Sequence, residues 1–434
     1  MLFSSGMAGA YLAAAGRADA QWQERAVTPK STAKVCVFVN MNGAPSQLDT
    51  FDSKDGPWNP ADINLQQHAA GMVLSKAYFP NLTTLMGDMA LIHSAASWEA
   101  AHERGQFYIQ TAHPSNPAFV AESPHLGSVL TRELGAPGPL PPFLMLNSGG
   151  GVIQGAKFLG GVFEPFTAPA NAGGLATLEH NYYGNTSQSR FNERFQLLAD
   201  LDKNLRQSPY SLEMAAHAEF YGVARRMMYD QAIANVFKFS TDEDARYGRT
   251  GFGRSCIVAR NAIRARAGVS FINIQLGGWD MHQSLTDPSY SPNIYSLGND
   301  LDRGVGNLAK DLKDSGDLAS TLIVMMGEFG RTPGALTPQG GRDHYKSVMS
   351  VAMMGGGIKG GRALGATDAQ GANIIDPGWS ANRPVYIEDI TATIYSALGV
   401  NWTKAILDTP SGRKFEYVPG SSQGSYKPVE ELFG

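Results

Sequence analysis

An α/β fold with a mostly parallel central sheet, flanking helices and a helical insertion is expected from three stretches of this 434-residue sequence. The first is Thr321 to Met326, six consecutive apolar or β-branched residues that suit a strand covered on both faces. Gly327 breaks it, and Glu328 and Arg331 follow at once; a Gly/Pro-rich loop then leads to Arg342, Asp343 and His344. The second is Val269 to Leu276, which runs through Gly277 and Gly278 into Trp279, Asp280, Met281 and His282. The third lies between them, where Leu297, Leu301, Val305, Leu308 and Leu312 recur every three or four residues and define an amphipathic helix. Strand, helix, strand makes a right-handed βαβ unit whose strands are parallel, so both charged stretches belong at the carboxyl end of the sheet. Ligands of open α/β sheets gather there.

Composition narrows the class. With 43% hydrophobic and 17% charged residues the chain has ample core for one large domain, residues 34–400, with a helical excursion at 190–267 and an irregular tail at 401–434. A net charge of -4 without a basic run argues against nucleic-acid binding. Cys36 falls in an expected strand and Cys256 in an expected helix; both read as buried free thiols, with a disulfide between them as the alternative. Residues 1–20 are small, apolar and acid-poor, and Ala18, Asp19 and Ala20 form an A-x-A cleavage signal; the stretch reads as the latter part of an export signal, or else as an Ala-rich terminal helix. No later apolar run is long enough to cross a bilayer.

The remaining elements follow in order. Lys34 to Met41 is a central strand, and turn formers after it lead to Asp49, a metal-ligand candidate that could equally serve an Asx-turn. Met89 to His93 is a short strand whose exit carries Ser94, Ser97, Glu99, His102 and Arg104 ahead of a helix through Phe107. A serine at a helix amino terminus can be a nucleophile beside an anion site, or simply a cap. Leu126 to Leu134 reads as a helix, Phe143 to Leu146 as a strand, and Gly149 to Gly174 as a loop excursion or lid. Leu197, Leu198, Leu201 and Leu205 mark one helix of the insertion and Leu212 to Phe239 a second. Arg225, Arg226, Arg260, Arg264 and Arg266 read as solvated helix faces, with contact to an anionic ligand as the alternative. Val348 to Met354 is a strand, the following glycine run a turn, and Ile387, Ile390, Ile394 and Leu398 define the last core helix.

Aspartate, glutamate and neutral histidine together suit a divalent ion, Zn or Mn before Ca or Mg, because the oxygen-seeking ions do not favour imidazole. Ordinary loop charges, with Glu328 paired to Arg331, are the competing explanation.

In the order GAPSQLDTFD, the HERG segment at His102, SPHLGSVL, GGWDMH, GEFGRTP and GRDHY, the sequence resembles the exported bacterial family catalogued as domain of unknown function 1501, within the alkaline phosphatase and sulfatase superfamily. The resemblance implies an alkaline-phosphatase-like sheet, a divalent metal centre and hydrolysis of phosphate or sulfate esters. Asp280 and His282 match the Asp and His ligands after one strand and His344 the late histidine. Glu328 stands where members commonly carry an Asp-His pair. Asn40 and Asn42 occupy the place of a usual aspartate ligand, and Ala101 that of an Asp before the histidine. The expected metal set is thus Asp49, Asp280, His282, Glu328, Asp343 and His344. Ser97, His102 and Arg331 are the candidate catalytic residues, and Arg104 and Arg342 those for a small anionic ester. An exported binding or assembly protein that keeps the fold without catalysis is the alternative function.

Overall fold

The computed structural model describes residues 24–149, 154–168, 170, 188–204 and 231–434. Eight strands form the main sheet: β1 (Val35–Asn40), β2 (Met89–Ala95), β3 (Phe143–Leu146), β4 (Phe166–Ala168), β5 (Phe271–Gln275), β6 (Thr321–Met326), β7 (Met349–Met354) and β8 (Arg362–Leu364). They lie side by side in the order β8-β2-β7-β6-β1-β5-β3-β4. Only β7 opposes the rest, pairing antiparallel with both β2 and β6. β1 sits between β5 and β6 and is parallel to both, with Asn40 level with Gln275 and Met326. The exits of these three strands therefore lie at one edge.

The described helices are α1 (His102–Thr111), α2 (Leu126–Leu134), α3 (Gln188–Leu201), α4 (Gln231–Val236), α5 (Thr241–Arg246), α6 (Gly251–Arg264), α7 (Ile294–Leu301), α8 (Asn307–Asp314) and α9 (Ile387–Ala397). Every residue of β1 is buried. Its period-two alternation sends Val35, Val37 and Val39 to one face, packed with Cys256 and Ile257 of α6 and Leu301 and Leu308 of α7 and α8. Cys36 and Phe38 face the other side, with Tyr108 of α1, Val129 of α2 and Ile390 of α9. Burial on both faces explains the continuous apolar runs, since a fully buried Val, Leu, Ile or Phe side chain contributes about 1.5–3 kcal/mol. Both cysteines are buried and free.

Several elements differ from the sequence reading. The Gly149–Gly174 stretch includes β4, an edge strand parallel to β3, because a three-residue strand leaves no periodic signal. The Leu297–Leu312 helix contains a π-helical segment, Asp302–Gly306, between α7 and α8, and its leucines stay buried. Arg260 is not on a solvated face: it is buried and paired with Asp311 and Glu243. Leu197, Leu198 and Leu201 of α3 are exposed. Residues 1–20, Arg225, Arg226 and most of the second insertion helix lie outside the described residues. Residues 401–434 add a short pair of strands, Ala405–Ile406 with Phe415–Glu416, and bury Val418, Val429 and Leu432 against the α9 side of the sheet. No helix among the described residues is long and apolar enough to cross a membrane.

Candidate metal centre

Four strand exits meet at the carboxyl edge of the sheet. After β5, Trp279 and Met281 are buried while Asp280 and His282 are exposed, so the two-residue alternation aims both functional side chains the same way. The backbone N–H of Trp279 donates to Asn42 O at 3.3 Å, which ties this loop to the exit of β1. Gly43 makes that crossing possible: its φ is +108°, and a Cβ there would stand 2.5 Å from the Asp280 nitrogen. After β6, the chain passes Glu328 and forms a short strand, Gly330–Arg331, that pairs antiparallel with His344–Tyr345. After β2, α1 opens at His102, with Ala101 as its extended N-cap residue.

His102, Asp280, His282 and His344 bring one donor atom each within 4.8 Å of one another. Asp280 Oδ1 is 3.0 Å from His102 Nε2, 2.9 Å from His282 Nε2 and 3.5 Å from His344 Nε2. The Nε2 atoms of His282 and His344 are 3.2 Å apart. A tetrahedral zinc site with bonds of about 2.0–2.1 Å has donor-to-donor edges of roughly 3.3–3.4 Å, close to these separations.

The outer ring nitrogens explain the orientation. His102 Nδ1 is 2.6 Å from Glu328 Oε1, His282 Nδ1 2.8 Å from Asp343 Oδ1, and His344 Nδ1 2.7 Å from the Ala100 carbonyl. An acceptor behind each Nδ1 assigns the proton there and leaves each Nε2 lone pair directed at the centre. His102 Nε2 is accordingly a buried nitrogen without a hydrogen-bond partner. The Arg331 guanidinium borders this group, its Nη2 2.5 Å from Asp280 Oδ1 and its Nη1 3.4 Å from His282 Nε2, and the three imidazole nitrogens with the carboxylate oxygen make a donor set that fits a divalent ion.

Glu328 is fully buried and also accepts from Gly43 N at 3.1 Å and Gln106 Nε2 at 2.8 Å. Gln106 follows His102 by one helical turn and accepts from Asn40 Nδ2 at 2.9 Å, which links the end of β1 to the centre. A side chain at Gly105 would collide with Glu328, its Cβ falling 2.8 Å from the Glu328 Cβ.

Arg331 is 1% exposed. Its Nη2 donates to Asp280 Oδ1 at 2.5 Å and to Gly43 O at 2.6 Å, its Nε to Ala44 O, and its Nη1 to Arg342 O. Burial would raise the Asp280 carboxyl, but the Arg331 guanidinium and His102 outweigh it and hold the group at about 2. Burial lowers the Arg331 guanidinium against the opposing pull of Asp280. The His102 imidazole is shifted upward because Glu328 and Asp280 together outweigh its burial, whereas burial shifts His344 downward.

The structure thus brings Asp280, His282 and His344 together with His102, and places Glu328 and Asp343 behind the histidines. Asp49 is elsewhere, buried and bonded to Arg342 Nε at 2.7 Å. Arg342 is wholly buried and also donates to the Thr332 and Gly334 carbonyls. Arg104 is exposed and pairs with Glu99 at 2.7 Å. Ser97 is buried and does not cap α1; its Oγ accepts from Glu99 N at 3.1 Å in a local turn. Among the described residues no serine or threonine hydroxyl is hydrogen bonded to the four converging side chains. Sequence reading gave His102 a catalytic role and did not place it beside Asp280, His282 and His344; its position at the start of a helix beside a strand exit was the available signal.

No curated protein matches the sequence. Similar solved structures include a sulfatase from Pseudoalteromonas sp., 12% identical, with 92% of this chain and 72% of that one covered and a TM-score of 0.41. A phosphonate monoester hydrolase from Silicibacter pomeroyi is 11% identical, with 92% and 76% covered and the same TM-score of 0.41. A protein in the alkaline phosphatase superfamily from Vibrio parahaemolyticus is 12% identical, with 90% and 75% covered and a TM-score of 0.36. The model of one family, proteins of unknown function designated DUF1501, matches residues 33–427, and the chain belongs to that family.

Proposed function

We propose that the protein is a zinc-dependent hydrolase of phosphate or sulfate esters acting outside the cytoplasm. The observation that carries this reading is the three-histidine, one-aspartate cluster, with every histidine held from behind by an acceptor. Three imidazoles favour zinc over the oxygen-seeking calcium and magnesium. Structural zinc sites are closed, whereas here the side chains of Asp280 and His282 are each 45% exposed, so an ester oxygen and a water have access. A divalent ion in this position supplies Lewis acidity, neutralising the ester oxygens and lowering the pKa of a water.

The chain's own residues do the rest. Arg331 fixes the Asp280 carboxylate in its charged form. Glu328, Asp343 and the Ala100 carbonyl each accept from an outer Nδ1–H, which turns the three Nε2 atoms towards the centre. Water is the nucleophile in this reading, since no hydroxyl side chain among the described residues is bonded to the cluster. The A-x-A signal at Ala18 to Ala20 supports export.

That same lack of a bonded hydroxyl is what favours the second reading, an exported binding or assembly protein with a structural metal. Metal analysis combined with turnover of an aryl phosphate, a phosphodiester and an aryl sulfate separates the two. Stoichiometric zinc and turnover of one class support the hydrolase; zinc-replete protein inert towards all three overturns it.

A further inference from the structure

Five consecutive residues connect the metal centre to a second feature. His102 is one of the four converging side chains, the Ala100 carbonyl holds His344, and Trp98 and Glu99 line a cleft of about 400 Å³. Such a volume lies within the range of about 300–1,000 Å³ typical of small-molecule sites. The cleft is also lined by Tyr108, Glu388, Ser425 and Tyr426, contributed by α1, α9 and the 401–434 region.

Trp98 is the largest exposed apolar side chain among the described residues. One face of its indole stacks on Tyr386, with centroids 4.3 Å apart and planes 9° from parallel, yet the residue remains 50% exposed. With one face covered, that exposure belongs largely to the other, which leaves a flat apolar surface open beside the cleft. The platform is also held still. The Trp98 indole N–H donates to Tyr426 Oη at 3.3 Å, and the Arg383 guanidinium lies over the rings of Trp379, Tyr386 and Tyr426 at 5.0, 5.6 and 5.1 Å. A rigid platform loses little entropy when a ligand stacks on it.

We propose that this cleft holds a sugar ring, so that, given the hydrolase reading above, the ester acted on at the metal centre is carried by a glycoside. A pyranose offers an apolar C–H face to the free indole surface and hydroxyls around its edge. Those hydroxyls need partners that both donate and accept, and the lining supplies them in the Tyr108 and Tyr426 phenols, the Ser425 hydroxyl and the Glu388 carboxyl. Glu388 and Tyr108 are themselves 4% and 1% exposed and hydrogen bonded to each other, a pre-set polar pair rather than mobile surface groups.

Charge argues for a neutral ring over a cation. Glu99 is paired with Arg104 at 2.7 Å and Asp389 with Arg383 at 2.6 Å, while burial pushes the Glu388 carboxyl up to about 7. The cleft therefore has little uncompensated negative charge with which to hold an ammonium group. A nucleobase could stack on the indole as well, which the experiment must separate.

Binding of methyl β-glucoside, methyl β-galactoside, lactose and adenosine is measured by calorimetry and saturation-transfer NMR on zinc-loaded protein and on chelator-treated protein. At least one glycoside binds both forms, Trp98→Ala weakens it about tenfold or more, and Trp98→Tyr recovers part of the loss. The unfolding midpoint of both variants matches that of the native chain. With galactose 6-sulfate and glucose 6-phosphate as substrates, Trp98→Ala raises KM more than it lowers kcat. Absence of glycoside binding, equal binding by Trp98→Ala, or binding of adenosine alone overturns the sugar site. Glycoside binding without turnover of any ester overturns the hydrolase reading and leaves the sugar site standing.

Discussion

Glu328 Oε1 lies 2.6 Å from His102 Nδ1, and the carboxylate is fully buried while the histidine is partly exposed. The contact decides which end of the imidazole carries its proton. With Nδ1–H turned towards Glu328, the His102 Nε2 lone pair faces Asp280, His282 and His344. Glu328 thus meets the outer nitrogen of the histidine and lies outside the group of four converging donor atoms.

Glu328→Gln therefore lowers zinc affinity by about 10–100-fold, the loss typical of removing a carboxylate behind a histidine ligand. Competition with a chromogenic chelator measures it. Retention of native affinity would show that His102 orients without the carboxylate.

Asp49 and Asp280 should separate cleanly. Asp280→Ala removes a donor from the cluster and strips the metal. Asp49→Ala instead leaves the Arg342 guanidinium buried and unpaired, a loss of about 3–5 kcal/mol of stability, with metal content per folded molecule unchanged. Denaturant unfolding and elemental analysis read the two effects. Loss of zinc from folded Asp49→Ala would place Asp49 among the ligands after all.

Ser97→Ala tests the identity of the nucleophile. Removing its turn hydrogen bond costs about 0.5–1.5 kcal/mol of stability, and both zinc content and kcat stay at native levels if water attacks the ester. Abolished turnover with full zinc content would identify the serine hydroxyl as the attacking group.

Glu388 makes stability depend on pH. Burial raises its carboxyl from the ordinary 4.5 to about 7, against the Tyr108 hydrogen bond and the Arg383 charge, which favour ionisation. A raised carboxyl means that the folded chain holds the proton more tightly than the unfolded chain. Its contribution is fully present below pH 4.5 and is lost as pH rises through about 7, amounting to at most about 3 kcal/mol. Glu388→Gln keeps a neutral group in place, so its unfolding free energy should fall less between pH 5 and pH 8 than that of the native chain. Identical pH profiles for the two proteins would show that the carboxyl titrates normally in the fold.

The strands that carry the site were legible because burial on both faces demands unbroken apolar runs. Thr321–Met326 and Phe143–Leu146 coincide with their expected limits, as does the helix Leu126–Leu134. Parallel pairing through a helical crossover then follows from chain chirality, which puts Asp280 and Glu328 at one edge of the sheet. The mixture of carboxylate and imidazole at two strand exits was enough to expect a metal centre.

Tertiary structure alone decided which of those groups face the centre. Six carboxylates and imidazoles were expected as ligands, yet Asp49 pairs with Arg342, and Glu328 and Asp343 stand behind histidines. His102 and Glu328 are 226 positions apart, and Asp280 and Arg331 are 51 apart. Residue type and local spacing define what a side chain can bind. Which atom lies 3 Å from which depends on how close Gly43 and Gly105 let neighbouring segments come, and that distance is set by packing between remote parts of the chain.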